Sequence, residues 1–348
     1  LAAPSISHQK YIKTVIGKHW YIMNILIVSG FLGAGKTTFI KELIRRTGTT
    51  PVVLENEYGD NSIDAQELRS ADTSEEKLEI MEFMEGCVCC TMKDSFVNSV
   101  LTIFSGLAPE YLIVEPTGVG RLSSIISNLQ PILHGNISIL NPIVVLSPRS
   151  YRQNMSQWKE LYTDQIANAG IVVFSKCEND SPDLLAETEN VVRGINPTAQ
   201  IISSHYTGQE DSWWNSLMAL PGKEVTVTEA SDEQTSFSQI TINDAKLTNP
   251  GELITLLEDC LRGELGHIAR AKGTILVGSE TLRFDLADGL YSITDSPQTE
   301  NQCVFIGEAL DKAGICRRVG SRLLSQPASL SISDIKRKSG KQLKVTHF

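Results

Sequence analysis

Short runs of apolar, β-branched residues alternate with longer mixed segments through the first two thirds of the chain. Residues 25–29, 52–54, 112–114, 137–146 and 171–174 are too short and too uniformly apolar for amphipathic helices, and they read as strands buried on both faces. The run at 137–146 is interrupted by Asn141-Pro142. Between these runs, the segment after residue 38 and those at 93–104, 153–169 and 182–193 carry helical spacing, and Leu78, Met81 and Met84 suggest another helical stretch. A strand at 200–203 completes the alternation. Strand and helix repeating in this way predict a mostly parallel sheet with right-handed crossovers, an α/β domain over residues 23–221.

The pattern changes after residue 221. Residues 222–236 are polar and poor in large apolar groups, as a linker is. Strands are predicted at 237–243, 273–277, 281–286, 290–294 and 303–307, with a helix at 251–262, so residues 237–312 read as a small α+β domain. Residues 313–348 read as a solvated basic tail carrying Lys336, Arg337, Lys338, Lys341 and Lys344. Residues 1–22 read as an extension upstream of Met23, with no apolar core of a signal sequence.

Composition narrows the class. The chain has 348 residues and a net charge of -10, which argues against nucleic-acid binding because that needs a basic footprint. No segment approaches the roughly 20 apolar residues needed to span a bilayer, so no membrane partner is expected. Seven cysteines, three of them in Cys87-Val88-Cys89-Cys90, point to thiolate chemistry in a reducing, cytoplasmic setting rather than to disulfides.

The most informative stretch follows the first strand. Gly30-Phe-Leu-Gly33-Ala34-Gly35-Lys36-Thr37-Thr38 satisfies G-x-x-x-x-G-K-[ST] between a strand and a helix, the context that a phosphate loop requires. Its glycines let backbone N–H groups turn toward phosphate oxygens at a helix N-terminus, Lys36 reaches the β- and γ-phosphates, and the Thr37 hydroxyl holds Mg²⁺. Glu115 ends the third strand, where a carboxylate can bind Mg²⁺ directly or through water, and Gly118 can offer its N–H to a γ-phosphate. Ser175-Lys176-Cys177-Glu178 ends the fifth strand. Its position suits base recognition, with the Glu178 carboxylate accepting from guanine N1 and N2 and Lys176 stacking on the ring. Glu55 opens an acidic loop at the carboxyl edge of the second strand, the edge where ligands sit in open α/β sheets. Three cysteines in four positions favour metal or redox chemistry over packing.

Gly-Phe-Leu-Gly-Ala-Gly-Lys-Thr, Glu-Asn-Glu-Tyr-Gly, Cys-x-Cys-Cys, Glu-Pro-Thr-Gly and Ser-Lys-x-Glu occur in the order that closely resembles the CobW-like family of P-loop GTPases, relatives of the urease and hydrogenase nickel-insertion GTPases. The segment His267-Ile-Ala-Arg-Ala-Lys-Gly273 resembles that family's C-terminal domain. The resemblance implies a GTP-hydrolysing metallochaperone that delivers a transition metal, Zn²⁺ or Co²⁺, to a client metalloprotein, with a homodimer left open. It implies Glu55, Cys89 and Cys90 as metal ligands, with Cys87 completing the motif, Asp60 as an auxiliary acid and His134 as a further ligand. Thiolates favour Zn²⁺ or Co²⁺ over Mg²⁺ or Ca²⁺, and adjacent Cys89 and Cys90 must be reoriented by a loop to share one ion. The chain departs from the family in three places: Ser175 and Glu178 stand where Asn and Asp are usual, Ser147-Pro148-Arg149 where an Asp is frequent, and the segment 63–85 is longer. Two rival readings share the phosphate loop, a metal-buffering or thiol redox module with a regulatory nucleotide site and a small-molecule kinase.

Overall fold

The computed structural model describes residues 22–57, 80–84, 92–219, 237–296 and 301–320. Among them β1 (Met23–Ser29), β2 (Val52–Glu57), β3 (Ile80–Met84), β4 (Tyr111–Glu115), β5 (Ile137–Ile139), β6 (Ile143–Leu146), β7 (Ile171–Phe174) and β8 (Gln200–His205) build one parallel sheet. The order is β3-β2-β4-β1-β6-β7-β8, with β5 also paired to β1. β1 lies at the point where the chain's winding reverses direction, and the crevice at the carboxyl ends of the strands opens there.

Alternating side chains give the sheet two faces and two cores. On one face Ile25, Ile27 and Val114 pack under α2 (Met92–Gly106), α3 (Leu122–Leu129) and neighbouring helices. On the other, Leu26, Val28 and Ile113 pack against α1 (Lys36–Thr47). The fully buried Trp214 of α7 (Asp211–Leu217) joins that second core, its ring 5.3 Å from Phe39 and 5.9 Å from Tyr206. Trp214→Ala removes the largest side chain of this layer, and chemical denaturation is expected to show a loss of about 3–5 kcal/mol.

Three elements of the first domain differ from expectation. The predicted helical stretch around Leu78 and Met84 is instead β3, because the run Ile80-Met81-Glu82-Phe83-Met84 pairs in parallel register with β2, from Val53 opposite Ile80 to Glu57 opposite Met84. The strand predicted over 137–146 is divided at Asn141-Pro142 into β5, which pairs with the start of β1, and β6, which pairs with its end. The helix predicted over 153–169 is two helices, α4 (Tyr151–Gln157) and α5 (Lys159–Ala167). Trp158 between them leaves helical geometry at φ -129 and ψ 38, and its ring meets Phe31 at 6.2 Å and Phe237 at 4.7 Å. Aromatic packing outweighs continuation of the helix at that residue. α6 (Pro182–Ile195) begins as its sequence suggests, with Pro182 in the first turn and the Ser181 side chain accepting from the Leu184 N–H.

The second sheet is mostly antiparallel. β9 (Phe237–Asn243), β11 (His267–Val277), β12 (Glu280–Ala287), β13 (Leu290–Asp295) and β14 (Gln302–Glu308) follow the order β13-β12-β11-β14-β9, and the short β10 (Lys246–Leu247) pairs in parallel with β11. One face packs on α8 (Pro250–Leu261) through Leu253, Leu256, Leu257, Ala271 and Ile275. Residues 313–320, read from sequence as the start of a basic tail, instead fall within and just after α9 (Lys312–Arg318), and Ile315, Cys316 and the C-cap residue Val319 are buried in this core. The other face turns toward the parallel sheet, where Phe237, Ala269, Val304 and Ile306 join the first core. A register shift between Ile268 and Arg270 permits this, turning Ala269 away from the face that Ala271 uses.

Candidate functional site

The phosphate loop runs from the end of β1 into α1. Gly35 takes a left-handed conformation, φ 91, immediately before the first helical residue, Lys36. Ala34 closes a turn by donating its N–H to the Phe31 carbonyl at 3.1 Å, and Ser175 from the end of β7 donates its hydroxyl to the Ala34 carbonyl at 2.6 Å. Ser175, which stands where the family usually has Asn, thus ties the base motif to the phosphate loop. Lys36 is only 7% exposed, and α1 has no acidic residue in its first turn. A lysine at a helix N-terminus, where backbone N–H groups also point outward, suits a bound polyanion.

Thr37 and Glu115 meet directly. The Thr37 hydroxyl lies 2.9 Å and 3.2 Å from the two Glu115 carboxylate oxygens. These hard oxygen donors suit Mg²⁺ in number and kind. On the adjacent strand Glu55 occupies the register position paired with Glu115, and it is 3% exposed. Gly118 packs so closely on the loop that a Cβ there would lie 2.4 Å from the Leu32 backbone nitrogen, which explains why no larger residue occupies the turn after Glu115.

These residues open on one cavity of about 560 Å³, a size typical of small-molecule sites. Gly33, Gly35, Lys36, Thr37, Thr38, Glu55, Glu115, Gly118 and Lys176 all line it. Glu178 does not. Its carboxylate pairs with His205 at 3.0 Å on the outer side of the base loop. The acid that faces Lys176 is Asp288, 3.3 Å away in the turn between β12 and β13. Arg149, in the segment where the family frequently has Asp, also lines the cavity and pairs with Asp180 at 2.5 Å.

His134 is removed from the ligand set. It is exposed in the turn that leads into β5, and β5 pairs with the beginning of β1, so His134 lies at the edge of the sheet opposite Glu55. Asp60, Cys87, Cys89 and Cys90 fall outside the described residues. The cysteines within them, Cys177, Cys260, Cys303 and Cys316, are all buried. Burial pushes the Cys177, Cys303 and Cys316 thiols up and Cys260 up to about 12, so they act as small apolar packing groups rather than as thiolates. Arg270, Lys272, Asp285 and Asp288 line the cavity from the second sheet; Arg270 and Lys272 lie in the segment 267–273 that resembles the family's C-terminal domain, which gave them no role, and the sequence did not single out Asp285 or Asp288. A further sequence signal is the spacing of Arg270 and Lys272, two charges at alternate positions of a largely apolar strand.

A phosphate loop at the switch point of a parallel sheet, a threonine and a glutamate converging behind its lysine, and a cavity beyond them define a P-loop nucleotide-binding protein. The family profile described as "CobW/HypB/UreG, nucleotide-binding domain" matches residues 24–203, and "Cobalamin synthesis protein cobW C-terminal domain" matches residues 237–322. The chain belongs to the CobW/HypB/UreG family. The zinc chaperone YeiR of Escherichia coli is 30% identical over 160 residues, 45% of this chain and 47% of that protein. The zinc-regulated GTPase metalloprotein activator 1 of Dictyostelium discoideum is 23% identical over 214 residues, 52% of this chain and 45% of that protein. The chain spans about half the length of these curated relatives. The crystal structure of Zn(II)-bound YjiA GTPase from E. coli aligns at a TM-score of 0.41 and 18% identity, covering 86% of this chain and 99% of that one. No helix among the described residues is long and apolar enough to cross a membrane.

Proposed function

We propose that the chain is a GTP-hydrolysing metallochaperone that holds Zn²⁺ or Co²⁺ through Glu55, Cys87, Cys89 and Cys90 and hands it to a client metalloprotein. The observation that carries this reading is the shared register of Glu55 and Glu115 on neighbouring strands, both opening on the cavity that contains Lys36 and Thr37. A strand shift that follows the nucleotide at Glu115 also moves Glu55. The names of the relatives, a zinc chaperone and a zinc-regulated GTPase metalloprotein activator, support zinc as cargo; the thiolate donor set accommodates Co²⁺ as well.

In this reading Thr37 and Glu115 hold Mg²⁺, which neutralises charge on the β- and γ-phosphates. Lys36 and the loop N–H groups bind the same oxygens, and Gly118 offers its N–H to the γ-phosphate. Lys176 stacks on guanine, and Ser175 fixes the distance between base and phosphate sites. Glu178 reaches the base by releasing His205. The working place is the cytoplasm, and the partners are a guanine nucleotide, a transition metal and the client, with self-association as a homodimer open to measurement.

The test is turnover of the purified full chain with Mg²⁺. GTP is expected to be hydrolysed, with GDP competing and ATP not. Equal turnover of ATP and GTP contradicts the guanine assignment. Absence of turnover with both, while the Cys89 site still binds metal, favours a metal-buffering or thiol redox module instead.

A further inference from the structure

The second sheet reaches the phosphate loop through the tip of one hairpin. β12 and β13 pair as far as Ala287 opposite Leu290, so their connection is the two-residue loop Asp288-Gly289. Both residues take positive φ, 55 and 72, as a type I′ turn requires, and Asp-Gly is among the pairs that this turn favours. The tip is held on three sides. A Cβ on Gly33 would stand 2.7 Å from the Ala287 Cβ and 3.6 Å from Asp288 Oδ2, and a Cβ on Gly289 would stand 2.9 Å from Gln153 Oε1 in α4. From the end of β7, Lys176 Nζ donates to Asp288 Oδ2 at 3.3 Å. The Asp288 side chain is 13% exposed, and it lines the same cavity as Gly33, Lys36 and Lys176.

The parallel sheet fixes what this carboxylate faces. β1 delivers the phosphate loop and β7 the base loop, with β6 between them, a separation of about 10 Å at strand spacing. A nucleotide with its phosphates at Lys36 and its base at Lys176 lays its sugar across that gap. Asp288 borders the gap at both ends, Gly33 on one side and Lys176 on the other. A ribose offers two donors there, its 2′- and 3′-hydroxyls, and an ionised carboxylate is acceptor-only, with about four lone-pair sites on its two oxygens. One acidic side chain can therefore accept from Lys176 and from the sugar together, as acidic residues meet the ribose in dinucleotide-binding folds. The turn itself does not call for a carboxylate, since Asn or Gly serves the same backbone geometry.

We propose that Asp288 is a nucleotide-binding residue that accepts hydrogen bonds from the ribose hydroxyls and selects ribonucleotides over deoxyribonucleotides. This rests on the nucleotide reading given above and deepens it. The phosphate and base contacts come from the parallel sheet, the sugar contact comes from the C-terminal sheet, and one bound nucleotide bridges the two domains.

The test is binding of GDP, 2′-deoxy-GDP and 3′-deoxy-GDP, each with Mg²⁺, to the full chain and to its Asp288→Gly and Asp288→Asn variants. Both substitutions keep residues that a type I′ turn favours. Discrimination is read as a ratio of affinities within one protein, which a general weakening of the fold or of Lys176 leaves unchanged. Wild type is expected to bind at least one deoxynucleotide roughly 10- to 100-fold more weakly than GDP, the range of a charge-assisted hydrogen bond. Asp288→Gly is expected to bring that ratio within about threefold, and Asp288→Asn, which keeps one neutral acceptor, to an intermediate value. Wild type that binds all three nucleotides equally, or Asp288→Gly that keeps the wild-type ratio, overturns the sugar contact. Failure of wild type to bind any guanine nucleotide overturns the nucleotide reading itself, and the sugar contact with it.

Discussion

Lys36→Ala is expected to lower GTP turnover by roughly 10²–10³-fold, the loss seen when one preorganised electrostatic donor is removed from a site that stabilises developing charge. The size follows from where Lys36 lies. It is buried at the first position of α1, beside Thr37 and Glu115, where water does not replace its ammonium group. Phosphoryl transfer asks the protein mainly for positioning and charge stabilisation, so few other side chains can take over. The fold should survive the change. The variant's circular dichroism spectrum without nucleotide is expected to match that of wild type. A variant that loses the wild-type spectrum yet retains turnover contradicts both halves of this expectation.

Glu55→Gln carries the second large effect, on metal rather than on turnover. Gln keeps the shape of the buried side chain and removes its charge, so Zn²⁺ or Co²⁺ affinity is expected to fall at least tenfold, no less than the usual loss on removing a supporting group around a metal. The glutamate is 3% exposed and in register with Glu115, which keeps two carboxylates close together away from water. In the proposed function, Mg²⁺ at Glu115 and the cargo at Glu55 add to the partners that these two carboxylates already have. A metal-binding isotherm for Glu55→Gln that overlays wild type excludes Glu55 from the cargo site and leaves the cysteines to hold the ion alone.

Much of this site was legible in the residues. The run into Gly30, the Lys36-Thr37 pair and Glu115 at a strand end required only local geometry, and the structure brings Thr37 and Glu115 within hydrogen-bond reach. Elements set by local pattern were legible too, among them β9 over Phe237–Asn243. What was hidden depends on contacts distant in sequence. β3 is a five-residue edge strand defined by its pairing with β2, and Trp158 breaks a helix to meet rings more than seventy residues away in one direction and more than a hundred in the other. His134 looked like a ligand because a sequence does not show which edge of a parallel sheet a connection returns to. Asp288, Arg270 and Lys272 enter the cavity only because the second sheet docks on Gly33, an event that no motif encodes.

The central claim is that the nucleotide and the metal are linked through neighbouring strands. A ligand shifts a two-state protein only by its difference in affinity for the states, and the coupling is reciprocal. The direct measurement is titration of Zn²⁺ into wild type and Cys89→Ala, each saturated with GDP or with a non-hydrolysable GTP analogue. Wild type is expected to show metal affinities that differ by roughly 5- to 150-fold between the two nucleotides, with the difference lost in Cys89→Ala. Identical wild-type affinities with GDP and with the analogue contradict the account.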